Sequence, residues 1–446
     1  MRADVFDVIV VGGGPAGTTC AYGLASRGYS VLVLEKERHP RFHVGESLVP
    51  YASGLFEKMG ILEQIENGPF VRKCSVQTWD PRTGYFRTYF SSLADGQKKF
   101  GFNVERASFD ALLSEHARQA GAQVLEEAPV NDILTADGRV TGVGYEHDGR
   151  RREARARFVV GAAGRAGALS HQFKLRVMNR KLRNVAFYQY YDHVAKGVNS
   201  SDEGDLVVAT NEDAWIWCIP VGSDTLSVGA VVAAEAVKES SPQELFDLHL
   251  RRAPIISDSL RGATPRFEDL KVESDFCYHG ERLSGPGFFI AGDAACFVDP
   301  VFSGGVFLAM VAGMKAAEAI DDIHQGRPEP AARRHFDNFC KTGYDHYFRL
   351  VYDFYYRCHG NIARLFHRFP GQFKLVLQVL AGDFWGDEDN PVLGYLRAQP
   401  GWNPFQRPFP RVYGCPIYPD AHHRAKDFPS RLPAEAPAPR PPRPVG

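Results

Sequence analysis

Two hydrophobic periodicities alternate along this chain. Asp7–Val11 is a short apolar, β-branched run, the mark of a buried strand. Thr18–Arg27 follows with helical character and stops at Gly28, and Ser30–Leu34 reads as a second strand closing on Glu35. This is a βαβ unit with glycines at its first turn. Arg106–Ala120 carries Phe109, Leu112, Leu113 and Ala117 near helical spacing. Val124–Val130, Val140–Tyr145 and Phe158–Ala162 read as further strands. From about Lys181 to Ala234 the pattern becomes one of alternating strands, Ala186–Tyr191, Asp205–Ala209, Trp215–Ile219 and Leu226–Val232, which predicts an antiparallel sheet. Phe288–Ala291 returns to a buried strand, and Gly304–Ile320 is a helix of small residues. Beyond Pro330 the chain is helical and dense in rings, from Phe336 and Phe339 to Phe354 and Tyr355, a set expected mainly to pack against the body of the protein. The stretch from about Pro429 is nearly all Ala, Pro and Arg, cannot bury a core, and is expected to be disordered.

At 446 residues the chain is long enough for two or three packed lobes. Lys and Arg total 52 against 53 Asp and Glu, so no overall field steers nucleic acid or an anionic membrane, and neither is expected as a partner. The apolar run Leu226–Val237 is broken by Glu235, and Asp4 and Asp7 flank the first apolar residues. Neither a membrane span nor a signal peptide is therefore expected. The eight cysteines are scattered without a Cys-x-x-Cys pair, as in reduced thiols of a cytoplasmic protein, and no zinc spacing or other metal site is evident. His422–His423 lies in a polar, Pro-flanked tail and reads as an exposed pair.

The glycine turn carries the first chemistry. In Val11-Gly12-Gly13-Gly14-Pro15-Ala16-Gly17, Gly12 permits the turn, Gly14 lets backbone approach a pyrophosphate, and Gly17 lets the helix lie against the sheet. The phosphates would rest on the amides at the helix N-terminus. Glu35, followed by Lys36, ends the next strand where a carboxylate can accept hydrogen bonds from the adenosine ribose. The strand Trp215-Ile216-Trp217-Cys218-Ile219-Pro220 sets two indoles on alternate residues, so both face one side and can wall a cavity.

A dinucleotide turn joined to two tryptophans one residue apart and an Ile-Pro closure resembles the flavin-dependent halogenases. The resemblance extends to about residue 400. Phe289-Ile290-Ala291-Gly292-Asp293 is similar to the second FAD motif of the aromatic hydroxylase and halogenase superfamily, in which the aspartate meets the ribityl hydroxyls. Arg106 matches a family arginine near the flavin. Gly45-Glu46-Ser47 is similar to the turn these enzymes carry after the second strand, and Glu46 and Ser47 are carried over as cofactor-binding residues. Phe70-Val71-Arg72-Lys73 places Lys73 where the family holds its catalytic lysine, with Arg72 as the competing cation. Phe297–Gly305 matches the flavin-proximal loop. By that resemblance Ser303 belongs to the catalytic set, and the amides of Gly304 and Gly305 are the candidate halide site. One departure is at Phe158–Arg165, where Gly161 replaces an acidic residue; another is Phe302, where tryptophan halogenases carry glutamate.

The fold class implied is α/β: a FAD-binding Rossmann-like lobe with an inserted antiparallel β-sheet substrate lobe and a helical C-terminal region. The flavin lobe would comprise 1–75, 101–180 and 276–328, and the substrate lobe 76–100 and 181–275. The helical region would be 329–428, with a tail at 429–446. No second strand-glycine-helix unit for a nicotinamide cofactor is evident, so a separate flavin reductase is expected to supply reduced FAD. Dioxygen and chloride or bromide would then yield hypohalous acid. Trp215 and Trp217 would keep the substrate from the flavin, and Lys73 would place the electrophilic halogen. Phe302 favours a phenolic or pyrrolic ring, free or on a carrier protein, since the ring's own heteroatom stabilises the cationic intermediate; an activated aliphatic substrate is the alternative. The competing readings are a single-component flavin hydroxylase, a prenyl reductase, and a flavin-binding protein without turnover.

Overall fold

The computed structural model describes residues 4–195, 204–211, 213–274, 276–399, 403–405 and 407–419; the tail 429–446 and His422–His423 lie outside them. The first sheet runs, in order, through Phe288–Ile290, Arg150–Gly161, Asp4–Val11, Val31–Leu34 and Gln123–Leu125, all parallel. Its apolar strands are covered on both faces, the usual condition of a parallel sheet. The helix Pro15–Ala25 begins three residues before the periodicity suggested, because proline suits a helical first turn. It crosses the long helix Gly305–His324 closely. A Cβ on Gly313 would stand 2.1 Å from the carbonyl oxygen of Ala16, so the crossing demands glycine there.

The structure departs from the sequence pattern at two strands. Val124–Val130 is not one strand: Gln123–Leu125 ends the parallel sheet, and Val130–Ala136 opens an antiparallel ribbon with Arg139–His147. Glu127 takes a φ of 54°, and Pro129 has no N–H to give, so the chain turns between them. The strand expected at Phe158–Ala162 runs from Arg150 to Gly161, its polar first half pairing with the ribbon.

The second sheet places Asn184–Asp192, Leu226–Ala233, Ala214–Pro220 and Leu206–Thr210 side by side and antiparallel. Ser75–Asp80 then joins it in parallel with Leu206–Thr210, and Gly84–Tyr89 forms the outer edge. These last two strands were not legible as strands, since polar residues interrupt their apolar positions. Period two governs the central strands. Trp215, Trp217 and Ile219 face the flavin lobe, whereas Ile216 and Cys218 face the helix Pro242–Arg251 through Leu245 and Phe246. The helix Glu329–Tyr356 and three shorter helices cap the joint between sheet and flavin lobe. Phe336, Phe339, Tyr344, Tyr347, Phe348 and Phe354 are buried there. Among the described residues no helix is long and apolar enough to cross a membrane.

Gly229 lies opposite Trp217 on the neighbouring strand, and a Cβ there would stand 2.2 Å from the indole. Gly229→Val is expected to displace the ring and lower stability by about 1–3 kcal/mol. Denaturant unfolding followed by tryptophan emission checks this; an unshifted midpoint would refute the packing.

Candidate active site

A cavity of about 740 Å³ runs from the end of Val31–Leu34, past the glycine turn, to the tryptophan strand. Its lining includes Gly12, Gly14, Pro15, Ala16, Glu35, Lys36, Glu46, Ser47, Arg106, Asp293, Ser303, Gly305, Trp215 and Trp217. Residues far apart in sequence thus share one elongated space. Gly12 takes a φ of 108°, and its Cβ would meet the Ala162 carbonyl oxygen at 2.5 Å. A Cβ on Gly17 would lie 1.9 Å from the Gly12 carbonyl oxygen, so this glycine closes the turn without itself bordering the cavity. Gly292 is also a packing glycine, its Cβ position 2.9 Å from that of Ala16, while Asp293 next to it reaches the cavity. Burial pushes the Asp293 carboxyl up to about 6.

Glu35 is buried, and its Oε2 accepts the Gly13 N–H at 2.6 Å. Its carboxylate therefore braces the glycine turn as well as facing the cavity. Arg106 is clamped: Nε and Nη2 donate to Asp110 at 2.8 and 3.0 Å, and Nη1 donates to the Val44 carbonyl at 2.8 Å. Its charge lowers the neighbouring His43 ring to about 4. Arg41 was missed in the sequence. Its Nη1 donates to Asp110 at 3.1 Å, and Nη2 lies 3.7 Å from Glu35 and beside Gly14. Only the fold brings this cation to the glycine turn; a lone arginine in a polar loop carries no signal of it.

The carboxylate of Glu46 is pinned by Tyr190 O–H, Ser227 Oγ (2.9 Å) and the Gly45 N–H (3.0 Å). Trp217 Nε1 donates to the same Ser227 hydroxyl at 3.2 Å. Trp215 Nε1 donates to Tyr355 Oη at 2.6 Å, and that phenol donates to Asp299 at 2.9 Å. Asn184 donates to the same carboxylate at 3.1 Å, and burial pushes Asp299 up to about 6. The indoles, 5.6 Å apart between centroids, are thus tethered separately.

A second, smaller cavity of about 80 Å³ adjoins the first. Lys73 borders it and is 2% exposed; its Nζ donates to Ser47 Oγ at 2.8 Å, and Ser47 borders the large cavity. Burial brings the Lys73 amine down from 10.5 to about 7, against the opposing pull of Asp205. Arg72, the alternative cation, is exposed over the Phe100 ring. Phe90, Phe302, Phe354, Leu377 and Leu380 make the smaller cavity largely apolar. The two spaces share Leu206, Val208, Val301 and Ser303 as walls. Both indoles border the large cavity and neither borders the smaller. Of the paired amides, Gly305 borders the large cavity, whereas the Gly304 N–H is directed at Tyr347 Oη, 3.4 Å away. Ser303 stands between the cavities in a left-handed conformation, φ 56°.

A glycine turn at a helix start, a carboxylate at the next strand end and a long, mostly apolar cleft fit an extended dinucleotide. Residues 5–333 match the family model of the FAD binding domain, which places the chain among FAD-binding flavoproteins. The chain is 32% identical over 363 residues to the tryptophan 2-halogenase of Chondromyces crocatus, covering 78% of this chain and 67% of that one. It is 29% identical over 419 residues to the 1H-pyrrole-2-carbonyl-[peptidyl-carrier protein] chlorinase of Pseudomonas fluorescens, covering 88% and 92%. The solved myxobacterial chondrochloren halogenase superposes with a TM-score of 0.74 at 29% identity, over 87% of this chain and 99% of that one. The flavin-dependent brominase Bmp2 gives 0.80 at 25%, over 88% and 97%. The chain belongs to the flavin-dependent halogenase family.

Arg41→Gln removes a cation at the glycine turn and leaves the Arg106–Asp110 pair in place. FAD affinity is expected to fall about 10-fold, the scale of one charge-assisted hydrogen bond. Flavin fluorescence titration at low and high salt checks this; unchanged affinity would remove Arg41 from the phosphate site.

Proposed function

We propose that this halogenase acts on a phenolic or pyrrolic ring held in the smaller cavity, with Lys73 delivering the halogen and a separate reductase supplying reduced FAD. The observation that carries this reading is the Lys73 amine, buried at the smaller cavity and bonded to Ser47 on the wall of the larger one. Gly12, Gly14, Pro15 and Ala16 would hold the pyrophosphate, Glu35 and Lys36 the adenosine side, and Arg106, Glu46 and Asp293 the flavin side. Bound reduced flavin, with dioxygen, would supply the two-electron oxidation of chloride or bromide to hypohalous acid. Gly305, at the N-terminus of a twenty-residue helix, offers an amide and partial positive charge to the halide.

With its pKa near 7, Lys73 is accessible both as ammonium and as amine. The ammonium can hydrogen-bond hypohalous acid. The amine can take the halogen, exchanging an N–H for an N–halogen bond and releasing water, then return it to a ring carbon that loses a proton. Apolar walls exclude water that would intercept either species. Phe302 supports an activated ring, because no carboxylate stands at that position to stabilise a cationic intermediate. The extensive match to a chlorinase of a carrier-bound pyrrole supports a tethered substrate.

Lys73→Ala should abolish halogenated product while reductase-fed oxygen consumption continues; monochlorodimedone in solution reports leaked hypohalite. Retained ring halogenation by the alanine variant, assayed by mass spectrometry, would sink the assignment. Lys73→Arg keeps a cation and loses the amine, so activity with arginine would favour the hydrogen-bonding form. The reductase requirement is tested by omitting that protein: NADPH oxidation by this chain alone would indicate a single-component hydroxylase.

A lysine whose folded pKa is depressed is bound to its proton more tightly in the unfolded chain. Its burial therefore costs stability below about 7, and the cost fades as pH rises towards 10.5. Lys73→Met is expected to raise the melting temperature at neutral pH, with a gain that shrinks on alkaline titration. A gain independent of pH would contradict the depressed amine.

A further inference from the structure

The smaller cavity has one buried end, at Lys73, and one end made of exposed backbone. Thr83 and Gly84, at the turn of the hairpin Ser75–Tyr89, border it and are exposed, facing Gly360 and Asn361. Two hydrogen bonds clamp this rim. Arg82 Nη2 donates to the His359 carbonyl at 3.0 Å, and Asn361 Nδ2 donates to Thr83 Oγ1 at 2.7 Å.

The rim's charge differs from that of the chain. Between Asp353 and Asp383 there is no Asp or Glu, but Arg357, His359, Arg364, His367, Arg368 and Lys374 occur. Between Asp80 and Asp95 there is again no carboxylate, but Arg82 and Arg87 occur. Some of this charge is met from inside: Arg82 pairs with Asp80, Arg87 with Asp205 and Arg368 with Asp353. Arg364 and His367 are exposed. In a chain whose totals balance at 52 and 53, the segments 81–94 and 354–382, both of which border this cavity, carry basic residues and no carboxylate.

The strand Gly84–Tyr89 adds a second, independent observation. Among the described residues it is the outermost strand of its sheet, and its alternate residues part ways. Phe86 and Thr88 line the cavity, whereas Tyr85 and Tyr89 are 44% and 42% exposed on the outer side. Exposed tyrosines beside arginines are the composition of a protein interface, and a small ligand confined to the cavity would touch neither ring.

We propose that this rim, Arg364, His367, Tyr85 and Tyr89 with the hairpin turn at Thr83, is the docking surface for an acidic carrier protein. The carrier would lay its negative face on the rim and pass the ring, on its flexible arm, through the opening towards Lys73. The proposal rests on the reading that the substrate is tethered. Charge complementarity at a rim governs chiefly the rate of encounter, so the effect belongs in kcat/KM and is screened by salt.

The test uses the full-length FAD-loaded enzyme, a reductase and two substrates. One is pyrrole-2-carboxylate as a thioester on an acidic, phosphopantetheinylated peptidyl carrier protein; the other is the same acyl group on N-acetylcysteamine. The double variant Arg364→Glu/His367→Glu should lower kcat/KM for the carrier substrate about 10-fold at low salt and leave the small thioester within about twofold. Tyr85→Ser/Tyr89→Ser should show the same split without the salt dependence, and Arg364→Lys should retain activity. Unchanged carrier kinetics in both double variants would overturn the docking surface while leaving the tethered reading in place. Equal loss on both substrates would also overturn it, by showing an effect on the cavity itself. Turnover of the small thioester and of free phloroglucinol but not of the carrier substrate by the unaltered enzyme would overturn the tethered reading, and this proposal with it.

Discussion

A lysine amine out of water, held at 2.8 Å by one serine hydroxyl, is the contact on which the arrangement of this protein turns. Burying an amine that would otherwise be charged opposes folding unless surrounding structure imposes it. Here three short segments impose it together. The strand Val71–Lys73 pairs with Gly101–Asn103, and Ser47 bridges to Asn103 in turn. Asn103 donates across to the Gly204 carbonyl at 2.9 Å, beside the start of the strand Leu206–Thr210. Flavin lobe and sheet lobe are therefore fastened at the point where the two cavities meet.

The aromatic wall is rigid for a related reason. A buried indole N–H must find an acceptor, and each of the two finds a different one. Trp215 is tied through Tyr355 to Asp299 and Asn184, linking sheet, C-terminal helix and flavin-proximal loop. Trp217 is tied through Ser227 to Glu46, which also accepts from Tyr190. Both chains of bonds end on carboxylates held by several donors, so the indole faces are fixed relative to the cleft rather than free to reorient.

Much of the wall of the large cavity was legible because its order is local. A strand, a tight glycine turn and a helix start follow one another within a dozen residues, and the acceptor Glu35 sits at the end of the next strand. The alternation around Trp215 and Trp217 was legible too, since period two alone sends both rings to one face. The strands Ser75–Asp80 and Gly84–Tyr89 were not, because polar residues such as Gln77, Thr78, Arg87 and Thr88 interrupt their apolar positions. Arg41 gave no pattern at all, and the loop and helix that carry Asp299, Tyr347 and Tyr355 gave no sign of their bonds, since each acts through a partner dozens or hundreds of residues away.

Local order in the chain determined the dinucleotide lobe, the inserted sheet and the family to which the protein belongs, since turns, periodicity and short motifs depend on neighbours in sequence. Tertiary structure alone decided which walls divide the two cavities, that Lys73 loses its solvent while Arg72 keeps it, and that Gly305 rather than Gly304 borders the larger one. These outcomes depend on how separate segments pack and on which groups packing removes from water, and neither is written in the spacing of residues along the chain.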